Sequence, residues 1–207
     1  MPYRQHILTG IAILFHVIGL LGIAVFKSER ISLTTPFHLL LMFGLLVFSY
    51  NSNRGVFIKW AIVAYLCGFW AEWVGVHTGW LFGSYSYDDV LGTKWLEIPL
   101  IIGVNWIVVV AGAIAIANRV TKNKWWMPIC AATIATVYDW LLEPVAIRLE
   151  YWQWAGDDVP MYNYISWWLV SLLPAMIWQK MELQPNQFSL NLLVVQALFF
   201  IALRILL

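Results

Sequence analysis

Seven apolar stretches of membrane-crossing length, joined by short polar loops, leave this 207-residue chain little choice of fold. A helix needs about 20 mostly apolar residues to cross the hydrocarbon core of a bilayer. Inside that core only a structure that satisfies its own backbone groups is stable. The stretches cover residues 6–26, 33–50, 56–76, 96–117, 125–147, 161–179 and 189–206. The second and last are the weakest, because both are short. The expectation is an all-α, polytopic integral membrane protein: about seven transmembrane helices in one bundle, with residues 1–207 as a single transmembrane domain. Composition agrees, since 62% of residues are hydrophobic and 11% charged, against about 25% charged in soluble domains. The first stretch, "MPYRQHILTGIAILFHVIGLLGIAVF", resembles a signal peptide. Its apolar part is too long, and no small-x-small cleavage site follows, so it reads as the first spanning helix.

Several functions are excluded on chemical grounds. A net charge of +1 offers no basic face, so nucleic acid is not an expected partner. Cys67 and Cys130 lie within apolar runs and form neither a disulfide framework nor a metal knuckle. The four histidines, His6, His16, His38 and His77, are scattered singly, without the clusters that a di-iron oxygenase requires. The last stretch contains no lysine for a retinal Schiff base. Asp88-Asp89 and Asp157-Asp158 are adjacent pairs in loops, a pattern of solvated surface that leaves a metal site only as a minor alternative.

Lys and Arg in short loops set orientation. Arg4, Arg54, Lys59, Arg119, Lys122, Lys124 and Lys180 fall on one side; Lys27, Arg30, Lys94, Arg148 and Arg204 fall on the other. This bias predicts a multi-pass protein of the plasma membrane with a cytoplasmic N-terminus. Glu72 and His77 then lie near the outer end of the third span, and Glu97 and Asn105 in the outer half of the fourth. Asp139 and Glu143 point to the same side from the fifth, and Asn163 opens the sixth. The polar groups of four spans share one depth.

Ionisable groups within a span cost several kcal/mol unless paired, hydrated or protonated, which makes them functional candidates. Asp139 and Glu143, in "TVYDWLLEP", are four residues apart and so share a helix face. Two carboxyl groups close together in low dielectric do not both ionise easily, so one is a candidate general acid. The alternative is a structural role at the helix end, with Arg148 the nearest basic partner. Glu72 is a third candidate acid, unless it pairs with a Lys or Arg of another helix. Asn105 and Asn163 could orient a water or a carboxyl group, or simply join helices, and His77 could serve as an interfacial anchor. Of the 14 tryptophans, many sit at span ends: Trp70, Trp73, Trp80, Trp95, Trp106, Trp140, Trp152, Trp154, Trp167 and Trp168. An interfacial belt accounts for part of them. Others, with Tyr85, Tyr87 and Tyr138, could line a cavity for a long apolar ligand. Aromatic faces there would stabilise a carbocation by about 0.5–2 kcal/mol per contact. Acids, aromatic walls and a lipid-facing mouth suggest acid-initiated chemistry on an isoprenoid alkene.

Three blocks carry a resemblance. "EWVGVHTGWLFGSYSYDDVLGTKWLEIPL" is similar to the signature of the membrane-bound carotenoid hydratase family, through Glu72, Gly75, Thr78-Gly79, Phe82-Gly83, Tyr85, Tyr87, Leu91-Gly92 and Pro99. "YDWLLEPVAIRLEYWQW" resembles its Asp-x-x-x-acid-Pro and Tyr-Trp-x-Trp region, with Glu143 where the family carries aspartate. "VPMYNYISWWL" resembles the following segment through Pro160, Asn163 and Trp167. The blocks cover about residues 69–170.

The resemblance implies addition of water across the terminal double bond of an acyclic carotenoid end group, giving a tertiary alcohol without cofactor or metal. Asp139, Glu143 and Glu72 are the expected catalytic acids. Asn163, Asn105, His77, Tyr85, Tyr87, Tyr138, Trp73, Trp106, Trp140 and Trp167 are the expected substrate and water contacts. Implied partners are the carotenoid within the bilayer, membrane lipids and other enzymes of the pathway; the oligomeric state is left open. Glycines 75, 79 and 83 would allow a compact, re-entrant backbone at the pocket mouth. A cyclase acting through the same acids, a non-catalytic carotenoid- or lipid-binding protein and a proton-coupled transporter are the competing readings.

Overall fold

A computed structural model describes residues 2–27, 29–51, 53–156 and 158–207. Helix α1 (Pro2–Leu20) runs on into a π-helical turn, Leu21–Val25. The short α2 (Glu29–Ser32) leads into α3 (Thr35–Ser49), whose Pro36 sits in the first turn, where a missing N–H costs nothing. The remaining helices are α4 (Arg54–Thr78), α5 (Leu100–Val120), α6 (Trp126–Arg148), α7 (Met161–Lys180) and α8 (Gln187–Leu206). The described residues therefore form an all-α polytopic membrane fold. Among the described residues six spans are long and apolar enough to cross a bilayer, including Arg30–Ser49 and Gln187–Leu206, the two expected to be weakest. The least apolar long helix is instead α7, because Tyr162, Asn163, Tyr164, Trp167 and Trp168 crowd its first half.

Helix α5 forms the centre of the bundle, packing against α3, α4, α6, α7 and α8 and buried along most of its length. Its sequence explains the position: "VVVAGAIAIA" places small residues on every face, so neighbouring helices approach closely from all sides. The other long helices are less buried and turn Leu, Ile, Val and Phe outward, as lipid contact requires.

Two corrections fall at the end of the bundle that carries the α4–α5 and α6–α7 connections, labelled the outer end, with the opposite end labelled inner. The fourth span begins at Leu100, not near residue 96, and Glu97 is not in a helix. Strands β2 (Lys94–Trp95) and β3 (Ile98–Pro99) form a tight antiparallel hairpin with Leu96 and Glu97 at positive φ in its turn. Pro99 both ends the hairpin and starts α5, since the residue before a proline disfavours helix. The expected re-entrant segment is instead a ribbon. Strand β1 (Tyr85–Tyr87) pairs antiparallel with β4 (Trp152–Trp154), in register Tyr85 with Trp154 and Tyr87 with Trp152. This ribbon joins the α4–α5 connection to the α6–α7 connection and lies across the outer end of the bundle.

Candidate active site

Side chains alternate in direction along a strand, so Tyr85, Tyr87, Trp152 and Trp154 project from one face of the β1–β4 ribbon. That face covers a cavity of about 340 Å³, also lined by Glu72 of α4, Ile102 and Asn105 of α5, Asp139 and Glu143 of α6, and Asn163 and Trp167 of α7. The three carboxyl-bearing residues are 4% (Glu72), 0% (Asp139) and 2% (Glu143) exposed. Such burial calls for full hydrogen bonding or a chemical purpose.

Every hydrogen-bond donor to these acids is neutral. Glu72 accepts from the Tyr85 and Tyr87 hydroxyls at 2.5 and 2.8 Å and from Trp106 Nε1 at 3.0 Å. Glu143 accepts from Trp152 Nε1 and Trp154 Nε1, at 3.0 and 3.2 Å, through one oxygen. Asp139 accepts from Asn163 Nδ2 at 3.1 Å, and its other oxygen is buried with no hydrogen-bond partner among the described residues. No described Lys or Arg forms an ion pair with any of them, so neither Arg148 nor a cation on another helix takes the structural role that sequence alone allowed. Burial first, then the Glu72 charge, push the Tyr85 and Tyr87 hydroxyls well above the ordinary tyrosine range. Both therefore remain O–H donors to Glu72 at physiological pH.

Local packing fixes this geometry. Trp106 and Trp167 stack with ring centroids 3.9 Å apart, which sets the Trp106 indole beneath Glu72. A side chain on Gly68, one turn before Glu72, would overlap the Trp106 ring. A Cβ on Gly75 would meet Phe82 at 2.6 Å and the Tyr85 hydroxyl at 2.9 Å. These two glycines are bare so that the aromatic donors can reach the acid.

Ile102, Asn105 and Trp152 also line a second, mostly apolar cavity of about 730 Å³ between α1, α3, α5, α6 and α8. The two cavities thus adjoin. Leu39, Leu142, Phe199 and Phe200 supply apolar wall, with Tyr138, Gln196 and the pair His16–His38 among its polar points. The His16 and His38 Nε2 atoms are 3.3 Å apart.

Of the residues expected from sequence, Glu72, Asp139, Glu143, Asn163, Asn105, Tyr85, Tyr87 and Trp167 line the acid cavity, and Trp106 reaches it through Glu72. Tyr138 lines the apolar cavity only. Three others lie elsewhere, because residues one and five positions along a helix from a cavity residue face away from it. Trp73 packs between Trp70 and His77, and His77 lies 3.5 Å from Glu97 at the outer surface. Trp140 is half exposed, with Arg204 over its ring at 4.7 Å. Four lining residues were not singled out as site residues: Phe82, Ile102, Trp152 and Trp154. The signal for the last two was the alternation in Trp-x-Trp, the same period as in Tyr-x-Tyr. Among the described residues, no group of three His, Cys, Asp or Glu could hold a metal ion. Asp89 is tied to Lys94 at 2.8 Å, and Asp157 lies outside the described residues.

The model of one protein family, described as carotenoid biosynthesis protein, matches residues 15–207. The chain belongs to that family. Membership of the carotenoid biosynthesis family makes it a multi-pass membrane protein with a role in carotenoid biosynthesis. The match also takes in the last turns of α1, from residue 15, and the whole of α8, where the sequence motifs reach only about residues 69–170. No curated protein and no solved structure matches the chain.

Proposed function

We propose that this protein is a carotenoid hydratase that adds water across the terminal carbon–carbon double bond of an acyclic end group to give a tertiary alcohol. One observation carries the reading. Three buried carboxyl groups, served only by neutral donors, share a small cavity that adjoins a large apolar one. The apolar cavity suits the polyene, and the acid cavity suits its reacting end.

Asp139 is the proton donor in this scheme, because its unpartnered oxygen is free of competing donors and can carry the acidic hydrogen. The alkene π pair takes that proton at the less substituted carbon, the acid O–H bond breaks, and a tertiary cation forms at the dimethyl carbon. The faces of Trp167, Trp152 and the tyrosines stabilise it by about 0.5–2 kcal/mol per contact. A water held near Asn105 and Glu143 donates its lone pair to form the C–O bond. The resulting oxonium returns a proton to the carboxyl cluster, which ends with as many protons as it began. Asn163 fixes the Asp139 carboxyl from its other oxygen. The chemistry calls on no cofactor. In this reading the protein sits in the plasma membrane with its N-terminus in the cytoplasm and the acid cavity toward the opposite face, an orientation supported by the excess of Lys and Arg on one side. The carotenoid, the surrounding lipids and neighbouring pathway enzymes are its partners.

Expression in cells that accumulate an acyclic carotene, without oxygen and in heavy-oxygen water, tests the reading by mass spectrometry of the pigments. A hydratase yields pigment heavier by one labelled water. An isomer of unchanged mass would make the protein a cyclase, and unchanged pigment would make it a binding protein.

A further inference from the structure

Water is a reactant in the proposed reaction, yet the apolar cavity offers it no favourable path. A third cavity, of about 770 Å³, lies at the outer surface. It is lined by Thr78, Ser84, Ser86 and Gln153, among others. Ser86 and Gln153 are register partners in the β1–β4 ribbon, and by strand alternation they face away from the acids. Both are exposed. This vestibule shares two lining residues with the acid cavity, Tyr85 and Trp154. Their rings are neighbours, with centroids 5.0 Å apart and planes inclined at 38°.

Each ring is tethered to a different acid: Tyr85 to Glu72 and Trp154 to Glu143. The floor beneath Trp154 is glycine for a reason. Gly83 has φ +124°, and a Cβ there would lie 3.0 Å from the Trp154 ring and 2.9 Å from Pro160. The ring is thus seated closely on backbone, and the seam between Tyr85 and Trp154 lies between the aqueous vestibule and the buried acids.

We infer that water reaches the acids through the seam between Tyr85 and Trp154, and that these two positioning residues decide the fate of the cation. Capture by incoming water gives the alcohol. When water is withheld, the cation loses a proton from a neighbouring carbon to the carboxylate and reverts to an alkene. This inference rests on the hydration proposed above.

The test uses the full chain in lipid nanodiscs with an acyclic carotene in deuterium oxide. Cation formed and then reversed leaves deuterium in the recovered carotene, so the ratio of deuterated carotene to alcohol reports water capture alone. Ser86→Cys, and separately Gln153→Cys, is folded first and then modified with a bulky water-soluble maleimide that fills the vestibule. Treated wild type controls for Cys67 and Cys130. The modification is expected to raise the ratio about tenfold in both variants, which is one decade of capture rate, and to leave treated wild type unchanged. An unchanged ratio in modified protein that still makes alcohol overturns the water route alone. Absence of alcohol from untreated wild type overturns the hydration reading itself.

Discussion

Two aromatic assemblies occupy opposite ends of this bundle and use the same residue types differently. At the inner end Tyr50, Phe57, Trp60 and Trp178 pack ring against ring, with Tyr50 stacked on Phe57 at 4.2 Å and Trp60 edge-on to Trp178 at 4.6 Å. Their polar atoms are spent on structure or left idle. Trp60 Nε1 donates to the Pro174 carbonyl oxygen, the Tyr50 hydroxyl meets Ser189 Oγ, and Trp178 Nε1 is buried without a partner. At the outer end Tyr85, Tyr87, Trp106, Trp152 and Trp154 all direct their polar atoms at carboxyl oxygens. Aromatic content alone therefore says little about function. What an indole N–H or phenol O–H points at separates scaffold from chemistry.

Substitutions at the two ends should consequently fail in different ways. The largest effect on turnover is expected from Asp139→Asn. Loss of a general acid costs about 10²- to 10⁴-fold in rate, read as alcohol formed per folded molecule. Melting temperature should hold or rise, because a neutral amide replaces a buried acid that lacks one of its partners. Trp60→Ala at the inner end should do the reverse. Truncating a fully buried tryptophan costs about 3–5 kcal/mol of stability, seen as a lowered melting temperature in detergent, while the surviving folded fraction turns over normally. A Trp60→Ala protein that stays stable but loses turnover would erase the distinction between the ends.

Smaller changes sharpen it. Tyr87→Phe removes one of three donors to Glu72 and leaves the ring in place. The expected cost is about 0.5–1.5 kcal/mol, or roughly a two- to tenfold drop in alcohol formation, measured beside an unaltered Trp152 environment. The least effect is expected from Asp89→Asn. The Lys94 hydrogen bond, then its charge, hold the Asp89 carboxyl below its ordinary value of 3.8. Any stability from this exposed pair is present above that ordinary value and fades as pH falls through the lowered one. At neutral pH exposed pairs contribute little, so melting curves of the variant and the parent should superimpose.

The helices and most of the acid site were legible in the sequence for simple reasons. Long apolar runs have one stable form in a bilayer, and the spacing of Asp139 and Glu143 puts both on one face of α6. Glu72 was visible because a carboxyl group inside an apolar run is expensive. The β1–β4 ribbon was not legible. Its strands are three residues each and lie on different connections, so no local pattern announces their pairing. Without the ribbon, Trp152 and Trp154 read as part of an interfacial belt, whereas they are the donors to Glu143. Glu97 misled in the opposite direction. It adjoins an apolar run, but Pro99 moves the helix start beyond it and leaves it exposed in a hairpin turn. Trp73, His77 and Trp140 were drawn in by proximity in sequence to Glu72 and Asp139, and helical geometry turns each of them away.

The central claim is that a buried carboxylic acid delivers a proton to a terminal alkene. Its most direct test is turnover of an acyclic carotene in deuterium oxide by purified wild type and by Asp139→Asn, with the product located by NMR. The account predicts one deuterium on the carbon beside the new carbinol in wild type, and labelled alcohol formed at least about a hundredfold more slowly by Asp139→Asn. An alcohol without deuterium at that carbon, or labelled alcohol formed at equal rates by the two proteins, would contradict it.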